Sequence, residues 1–204
     1  DASEDLLSKF KTVPILEVED KVFKEISLTE TTQGVLLIVH KKQFILESVL
    51  DNEPKIIVIA DGIQDPGNLG TILRTSAAAG TSALLVTRGC VDVYNPKVVR
   101  ASMGGIFFLP VINVDNLESL ITLLNIKGYK LVVADLEGKQ MYYDAELKEP
   151  VALIIGNENN GPSELFKEKS DLVVKIPMLG KVESLNAGVA AGVLIYETIR
   201  QNSI

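Results

Sequence analysis

The sequence predicts an α/β protein in which a parallel sheet carries helices on both faces. From about Ile56 onward, short apolar runs of strand length alternate with helical stretches, which is the pattern of successive β–α–β units. The run 56–60 is apolar at every position, as expected for a central strand that is buried on both faces. A chain of 204 residues can bury a core of this kind without a disulfide or a structural metal.

The elements follow from this alternation. Strands are predicted at 56–60, 83–87, 131–134, 151–155 and 172–176. Helices are predicted at 69–79, 96–102, 117–127, 163–169 and 185–199. Residues 1–50 are patterned differently, with predicted strands at 13–18 and 34–40 around a small helix at 20–25. We therefore expect two parts, 1–50 and 51–204, the first being either the remnant of a separate domain or an addition to the main sheet.

Composition excludes several classes of protein. A single cysteine, Cys90, and a single histidine, His40, exclude a disulfide framework and a zinc site of the usual ligands, and predict a reducing, cytoplasmic location without a metal. We find no apolar run of about 18 residues and no signal-peptide pattern, which predicts a protein that is neither secreted nor membrane-spanning. The net charge of −7 argues against a broad basic surface, so any RNA contact is expected to be local. Because the chain begins at Asp1 rather than Met, we also expect that an upstream region is missing.

The first chemically suggestive segment, 61–74, directly follows the predicted strand 56–60. Gly67 and Gly70 allow close backbone approach, Asn68 is placed to cap the following helix, and Arg74 lies about two turns into it. The glycine spacing is not that of a dinucleotide fingerprint. An ordinary β–α turn with a surface arginine is the alternative interpretation.

The second segment, 153–163, holds Glu158 between two glycines at the end of an apolar run. Ligands of open α/β sheets bind at the carboxyl ends of strands, so this position favours function, although the carboxylate could simply solvate a turn. The third segment, 174–192, contains a proline turn, Ser184 as a candidate N-cap, and a helix of Ala, Gly and Val. Composition alone would explain that helix as a tightly packed core element.

Together the three segments resemble the SpoU/TrmH family of RNA ribose 2′-O-methyltransferases, within the SPOUT class. The motifs are Asn68-x-Gly70-x-x-x-Arg74, Gly156-Asn157-Glu158-x-x-Gly161 and Ile176-Pro177-Met178-x-Gly180-x-x-x-Ser184-Leu185-Asn186, in this order within residues 56–200. One departure is Ala187-Gly188-Val189-Ala190, where many members carry Val-Ser. The resemblance implies a SPOUT fold with a deep C-terminal trefoil knot, and it makes residues 1–50 look like the tail of a ribosomal-protein-like substrate domain.

The resemblance also implies a cofactor, S-adenosyl-L-methionine, and a homodimer packed through the knot with the final helix at the interface. The residues expected to line the cofactor pocket are Gly156, Asn157, Ile176, Met178 and Leu185. An adenine pocket needs apolar walls with a few placed polar groups, which fits this set.

For the methyl acceptor, the resemblance assigns Arg74 to activation, Asn68 and Glu158 to holding the arginine and the acceptor, and Ser184 and Asn186 to completing the site. A guanidinium group rarely gives up its proton in proteins, so we expect Arg74 to act as an electrostatic anchor, and the base stays open.

The resemblance favours ribosomal RNA as the substrate, with transfer RNA as an alternative and a non-catalytic RNA-binding relative as the competing class. The helix beginning at Pro96 carries Lys97 and Arg100, which either contact RNA backbone or form a solvated face.

Overall fold

The computed structural model describes residues 12–29, 31–51 and 55–203 of the chain. Its internal contacts divide the chain into two units, one ending at Lys41 and the other beginning at Lys42. In the first unit, helix α1 spans Asp20–Ile26, which confirms the small helix predicted there. The strands predicted at 13–18 and 34–40 are wrong, because neither segment pairs with a strand among the described residues. The apolar side chains that suggested burial are exposed instead, to 94% for Ile38, and extended backbone without a paired neighbour is not a sheet.

The second unit is built on a seven-stranded sheet in which every pairing is parallel. In chain order the strands are β1 (Ile56–Asp61), β2 (Ala83–Thr87), β3 (Val111–Val114), β4 (Lys130–Ala134), β5 (Gln140–Met141), β6 (Val151–Gly156) and β7 (Leu172–Lys175). Their order across the sheet is β3-β2-β1-β6-β4-β7-β5. The five predicted strands are confirmed to within one residue at each end. The two that the sequence did not predict, β3 and β5, lie at the edges and are partly exposed, so their apolar signal is weak.

Among the described residues of the second unit, seven helical segments accompany the sheet. They are α2 (Leu46–Leu50), α3 (Pro66–Ala78), α4 (Pro96–Ala101), a 3₁₀ turn (Gly105–Phe107), α5 (Leu117–Ile126), α6 (Glu164–Lys169) and α7 (Ala187–Asn202). Two apolar clusters form, one on each face of the sheet, because alternate residues of β1 point to opposite sides. The first cluster takes side chains from α3, α4 and α7, and the second from α2, α5 and α6.

Two helix caps differ from those expected from the sequence. Helix α3 begins one turn earlier than predicted, and its cap is Asp65, whose carboxylate accepts from the backbone N–H of Asn68 at 2.8 Å. Helix α7 is capped by Asn186 rather than by Ser184, because the amide oxygen of Asn186 accepts from the N–H of Val189 at 3.2 Å. In both cases a nearby residue with the right side chain displaced the predicted one, and this leaves the side chain of Asn68 free for other contacts.

Helices α3 and α7 pack closely through small residues. A Cβ built on Gly188 would lie 2.8 Å from Cγ2 of Thr71, which is too close for any side chain. At its far end, α7 is tied to the chain segment before β6: Gln201 accepts from the N–H of Leu147 at 2.8 Å and donates to the carbonyl of Ala145 at 3.0 Å. The final helix is therefore held at both ends. Within the described part of the chain, no helix has the length and apolar character to cross a membrane.

Candidate active site

The carboxyl ends of β1, β6, β4 and β7 bring the functional loops together. Asp61 at the end of β1 is in register with Gly156 at the end of β6, and Ala134 of β4 is in register with Ile155 and with Val174 of β7. Because all four strands are parallel, the loops that follow them leave the sheet at one edge. The three segments singled out in the sequence therefore meet there.

A cavity of about 330 Å³ lies between these loops. Its lining includes all five residues predicted to bind the cofactor, namely Gly156, Asn157, Ile176, Met178 and Leu185. Ile155, Val174, Ala187 and Ala190 add apolar wall, while Asp135, Glu137, Glu158 and Lys167 add charged groups. A cavity of this size that combines apolar walls with placed polar groups is the usual form of a small-molecule site.

The first glycine of the second segment is required by close backbone packing. A Cβ built on Gly156 would lie 2.1 Å from the backbone nitrogen of Pro162, so no other residue fits. The loop between them is closed by a backbone pair, in which Asn157 and Gly161 each donate to the other at 3.1 and 2.9 Å. Gly161 has φ +69°, a conformation that favours glycine. The loop wall of the cavity is thus fixed by its own backbone.

The side chain of Asn157 shapes this loop. Its amide donates to the carbonyl of Gly62 at 2.8 Å, and its oxygen accepts from the backbone N–H groups of Asn159 and Asn160. Both ends of the side-chain amide are engaged in the protein. Asn157 therefore contributes to the cavity by fixing its loop against the segment after β1.

Three of the five predicted catalytic residues form one hydrogen-bonded set, which we call the amide network: Glu158, Asn68 and Asn186. The amide nitrogen of Asn68 donates to Oε1 of Glu158 at 2.5 Å, and the amide oxygen of Asn68 accepts from Nδ2 of Asn186 at 2.6 Å. Asn68 is 9% exposed. The network joins α3, the loop after β6 and the start of α7, and its Glu158 end lines the cavity.

The other two predicted catalytic residues are placed differently. Ser184 lies exposed in the loop before α7 and lines the cavity. Arg74 is exposed on α3, has no hydrogen bond or ion pair with the described residues, and is not part of the cavity wall. The described chain thus gathers Asn68, Glu158, Ser184 and Asn186 around the cavity and leaves Arg74 outside it.

Asp135 and Lys167 form a charged pair that the sequence analysis missed. The Oδ2 atom of Asp135 lies 3.2 Å from Nζ of Lys167, and Oδ1 accepts from the N–H of Glu137 at 2.8 Å. The hydrogen bond with Asp135 raises the pKa of Lys167, so this lysine stays charged. The signal was available, since Asp135 directly follows an apolar strand, as Asn157 does, and Asp61 is the last residue of one.

A second buried carboxylate supports the site from behind. Asp61 is 6% exposed and accepts from the hydroxyl of Thr87 at 2.8 Å and from the N–H of Ser163 at 2.7 Å. These bonds connect the ends of β1 and β2 with the start of α6, so they set the spacing of the loops.

Nearby, Cys90 accepts from the N–H of Ile63 at 3.1 Å, and burial raises the pKa of its thiol. Cys90 thus belongs, with Asp61, to the residues that support the loops. Among the described residues, no cluster of three or more His, Cys, Asp and Glu could hold a metal ion.

Comparison with known proteins identifies relatives of this arrangement. Residues 55–196 match the SpoU rRNA Methylase family. The chain is 36% identical over 179 residues to a 23S rRNA (guanosine(2553)-2′-O)-methyltransferase of Bacillus subtilis, covering 88% of this chain and 70% of that protein.

Solved structures of the same kind are also similar. The SpoU methyltransferase AviRb of Streptomyces viridochromogenes in complex with AdoMet has 34% identity and a TM-score of 0.72, covering 77% of this chain and 64% of that one. An RNA methyltransferase of the TrmH family from Porphyromonas gingivalis has 29% identity and a TM-score of 0.79, covering 97% of this chain and 80% of that one. The chain thus spans about two thirds of the length of the first two of these relatives.

Proposed function

This chain belongs to the SpoU rRNA methylase family, and on that basis we propose that it transfers a methyl group from S-adenosyl-L-methionine to the 2′-hydroxyl of a ribose in RNA. The observation that carries the proposal is the amide network beside the cavity, which places Glu158 at the wall of a site with cofactor-like dimensions. Ribosomal RNA is the preferred substrate, because the B. subtilis relative is named for methylation of 23S rRNA.

The residues present fit the cofactor. S-adenosyl-L-methionine supplies an activated methyl group on a sulfonium centre. Ile176, Met178 and Leu185 offer apolar walls for the adenine, and Gly156 leaves backbone exposed to it. Asp135 supplies a carboxylate whose charge is balanced by Lys167, so its remaining lone pairs suit a neutral ribose hydroxyl.

We assign the acceptor side of the site to the amide network, Ser184 and Arg74. Orienting the ribose hydroxyl for in-line attack can supply several kcal/mol, and the hydrogen-bonded Glu158, Asn68 and Asn186 are suited to this task. Glu158 is the one member of the five that carries a carboxylate, so it can accept a hydrogen bond from the acceptor hydroxyl. The positive charge of Arg74 stabilises the negative charge of the neighbouring phosphate and of the developing alkoxide.

The wider organisation is part of the same proposal. We propose a cytoplasmic homodimer that packs through a C-terminal trefoil knot, and residues 1–50 as the remnant of a substrate-binding domain. The hydrogen bonds of Gln201 with Ala145 and Leu147 hold the end of α7 next to the segment before β6, which supports this proposal. Exposed Val189 and Tyr196 on α7 supply apolar surface for a second copy. Light scattering on the purified chain tests the dimer directly.

The deciding experiment is calorimetric titration of the chain with S-adenosyl-L-methionine, with the Asn186→Ala variant beside it. We expect saturable binding near one per chain, weakened in the variant, followed by methyl transfer to rRNA fragments in preference to tRNA. Absence of binding well above the micromolar range would leave an RNA-binding protein of the same fold as the better account. Methylation of tRNA alone would overturn the substrate assignment and keep the reaction.

A further inference from the structure

Acidic residues are almost absent from one stretch of this acidic chain. The sequence has 27 acidic and 20 basic residues, yet positions 66–114 contain a single acid, Asp92, with Arg74, Arg88, Lys97 and Arg100. Arg88 is paired, because its Nε lies 3.1 Å from a carboxylate oxygen of Asp115. The other three basic residues, Arg74, Lys97 and Arg100, are exposed and have no carboxylate partner among the described residues. They form a local positive surface on an otherwise negative protein.

A tight turn packs against this basic surface at Arg74. The 3₁₀ turn Gly105–Phe107 lies so close to α3 that a Cβ on Gly105 would be 2.9 Å from Cδ2 of Leu73 and 3.4 Å from Cα of Arg74. Just before it, Met103 has φ +47°, the one left-handed non-glycine residue in the described part of the chain. Such a conformation is costly for a methionine and is typical of positions kept for function.

The turn presents apolar side chains to solvent. Met103 is 72% exposed, Phe107 57% and Phe108 84%, while Leu109 behind them is buried. Leaving a phenylalanine ring in water is unfavourable compared with burying it. Two adjacent exposed rings on a fixed turn therefore indicate an interaction site. Because Gly105 and Leu109 anchor the turn, these rings cannot fold back into the core.

We propose that Arg74, Lys97, Arg100, Met103, Phe107 and Phe108, here called the basic–aromatic surface, bind unpaired RNA next to the nucleotide to be methylated. This rests on the proposed function, because Arg74 joins the surface to the acceptor side of the site. Guanidinium and ammonium groups bind the phosphates, and the phenylalanine rings stack on bases that are not paired. The surface thereby selects single-stranded or looped RNA over a continuous duplex, whose bases are already stacked on one another.

Charge favours RNA over the other possible occupants. In a symmetric dimer formed through this face, a second copy would bring the same three basic residues against Arg74, Lys97 and Arg100, and like charges repel. A purely apolar protein partner would not use these three charged side chains. RNA uses both components at once, since every nucleotide offers a phosphate and an aromatic face. We therefore assign nucleic acid as the ligand of the basic–aromatic surface.

The test measures binding of a fluorescein-labelled 16-nucleotide single-stranded RNA of mixed sequence, and of the same strand in a duplex, by fluorescence anisotropy. We expect the wild-type chain to prefer the single strand. The double variant Phe107→Ala/Phe108→Ala should lose about 5- to 100-fold in affinity for the single strand and much less for the duplex. Arg100→Gln should reduce the slope of log K against log salt by about 0.7.

Matched controls use exposed residues outside the surface: Ile126→Ala for the rings and Lys169→Gln for the charge. Both should leave RNA affinity within about twofold. Titration with S-adenosyl-L-methionine accompanies every variant, because unchanged cofactor binding shows that the fold is intact.

If cofactor binding and methyl transfer are present in the wild-type chain but the ring variant binds RNA as tightly as the wild-type chain does, the surface assignment is wrong and the proposed function stands. If the ring variant instead changes from dimer to monomer, the surface joins two copies and the RNA assignment is equally overturned. Failure of the wild-type chain to bind the cofactor would instead count against the proposed function.

Discussion

The side-chain amide of Asn186 donates to Oδ1 of Asn68 at 2.6 Å, although 118 residues separate the two in the chain. The direction of this bond follows from both of its ends. Glu158 can only accept, so Asn68 must offer its nitrogen to Glu158 and its oxygen to Asn186. Asn186 must in turn offer its oxygen to the N–H of Val189, where it caps α7. The carboxylate at one end and the helix terminus at the other therefore fix the orientation of both amides.

Replacing Asn186 separates its capping role from its role in the amide network. Asn186→Asp should keep the thermal stability close to wild type, because aspartate caps helices as well as asparagine. It places a carboxylate oxygen against Oδ1 of Asn68, so we expect methyl transfer to fall about 100-fold from misplacement of the acceptor. Asn186→Ala should lose the cap as well, at about 1 kcal/mol of unfolding free energy. Thermal denaturation and single-turnover methylation measure the two effects, and equal activity of Asp and Asn at this position would contradict the network's role.

Arg74 is predicted to act on the acceptor and not on the cofactor. It is exposed on α3 and outside the cavity wall, so Arg74→Lys and Arg74→Gln should leave both stability and cofactor affinity unchanged. If Arg74 acts as an electrostatic anchor, the Arg74→Lys enzyme should retain part of the wild-type turnover. The Arg74→Gln enzyme should lose nearly all of it, because only lysine keeps the charge. Single-turnover rates at saturating cofactor provide the measurement. Complete loss in the lysine variant would show that two-pronged guanidinium geometry, not charge, is needed.

The sequence predicted the central sheet well and its surroundings less well. Strands β1 and β6 were found because they are apolar at nearly every position, whereas β3, which is half exposed at an edge, has no such pattern. The segment 34–40 was wrongly predicted as a strand, since local apolar character does not specify a pairing partner. The residues predicted from motif resemblance to bind the cofactor do lie together at one cavity.

What the sequence could not supply was the set of long-range contacts. Asp65 caps α3 and frees Asn68 for Glu158, a relationship across 90 residues that no local pattern encodes. Lys167, on a helix after the second motif, meets Asp135 only because β4 and β6 are neighbours in the sheet. Contacts of this kind depend on strand order, which the sequence alone left open.

Asp135 is predicted to contribute to cofactor affinity. Asp135→Asn should weaken binding of S-adenosyl-L-methionine and of adenosine by about tenfold, because an amide leaves Lys167 without its main partner and offers the ribose a weaker acceptor. The matched control is Glu164→Gln, which removes the other, mostly exposed partner of Lys167 and should change affinity little. Calorimetry with both ligands checks this. Equal effects of the two substitutions would assign the loss to Lys167 alone.

Cys90 is predicted to react slowly with alkylating reagents. Burial raises the pKa of its thiol, so at a given pH less of it is thiolate than in an unstructured peptide, and the reaction rate should rise only at more alkaline pH. At pH 8 we expect iodoacetamide to modify the folded chain at least about tenfold more slowly than the urea-unfolded chain. Mass spectrometry of timed samples measures both rates. Equal rates would show that the thiol is accessible and that its bonds to Ile63 and Ala60 do not hold it.

Gly156 is predicted to be irreplaceable for the cavity, whereas Gly180 is not. In Gly156→Ala the new methyl group would meet the backbone of Gly161 and Pro162 at 2.4 and 2.1 Å, so the loop must shift away from β6. We expect a loss of roughly 2–4 kcal/mol in unfolding free energy together with loss of cofactor binding, since the methyl group cannot move independently of the backbone. Gly180→Ala meets no atom within 4 Å and has no left-handed φ, so its stability should match wild type. Urea denaturation of both variants decides the matter: a Gly156→Ala protein that unfolds at the wild-type urea concentration would mean that the loop is far more pliable than its paired backbone indicates.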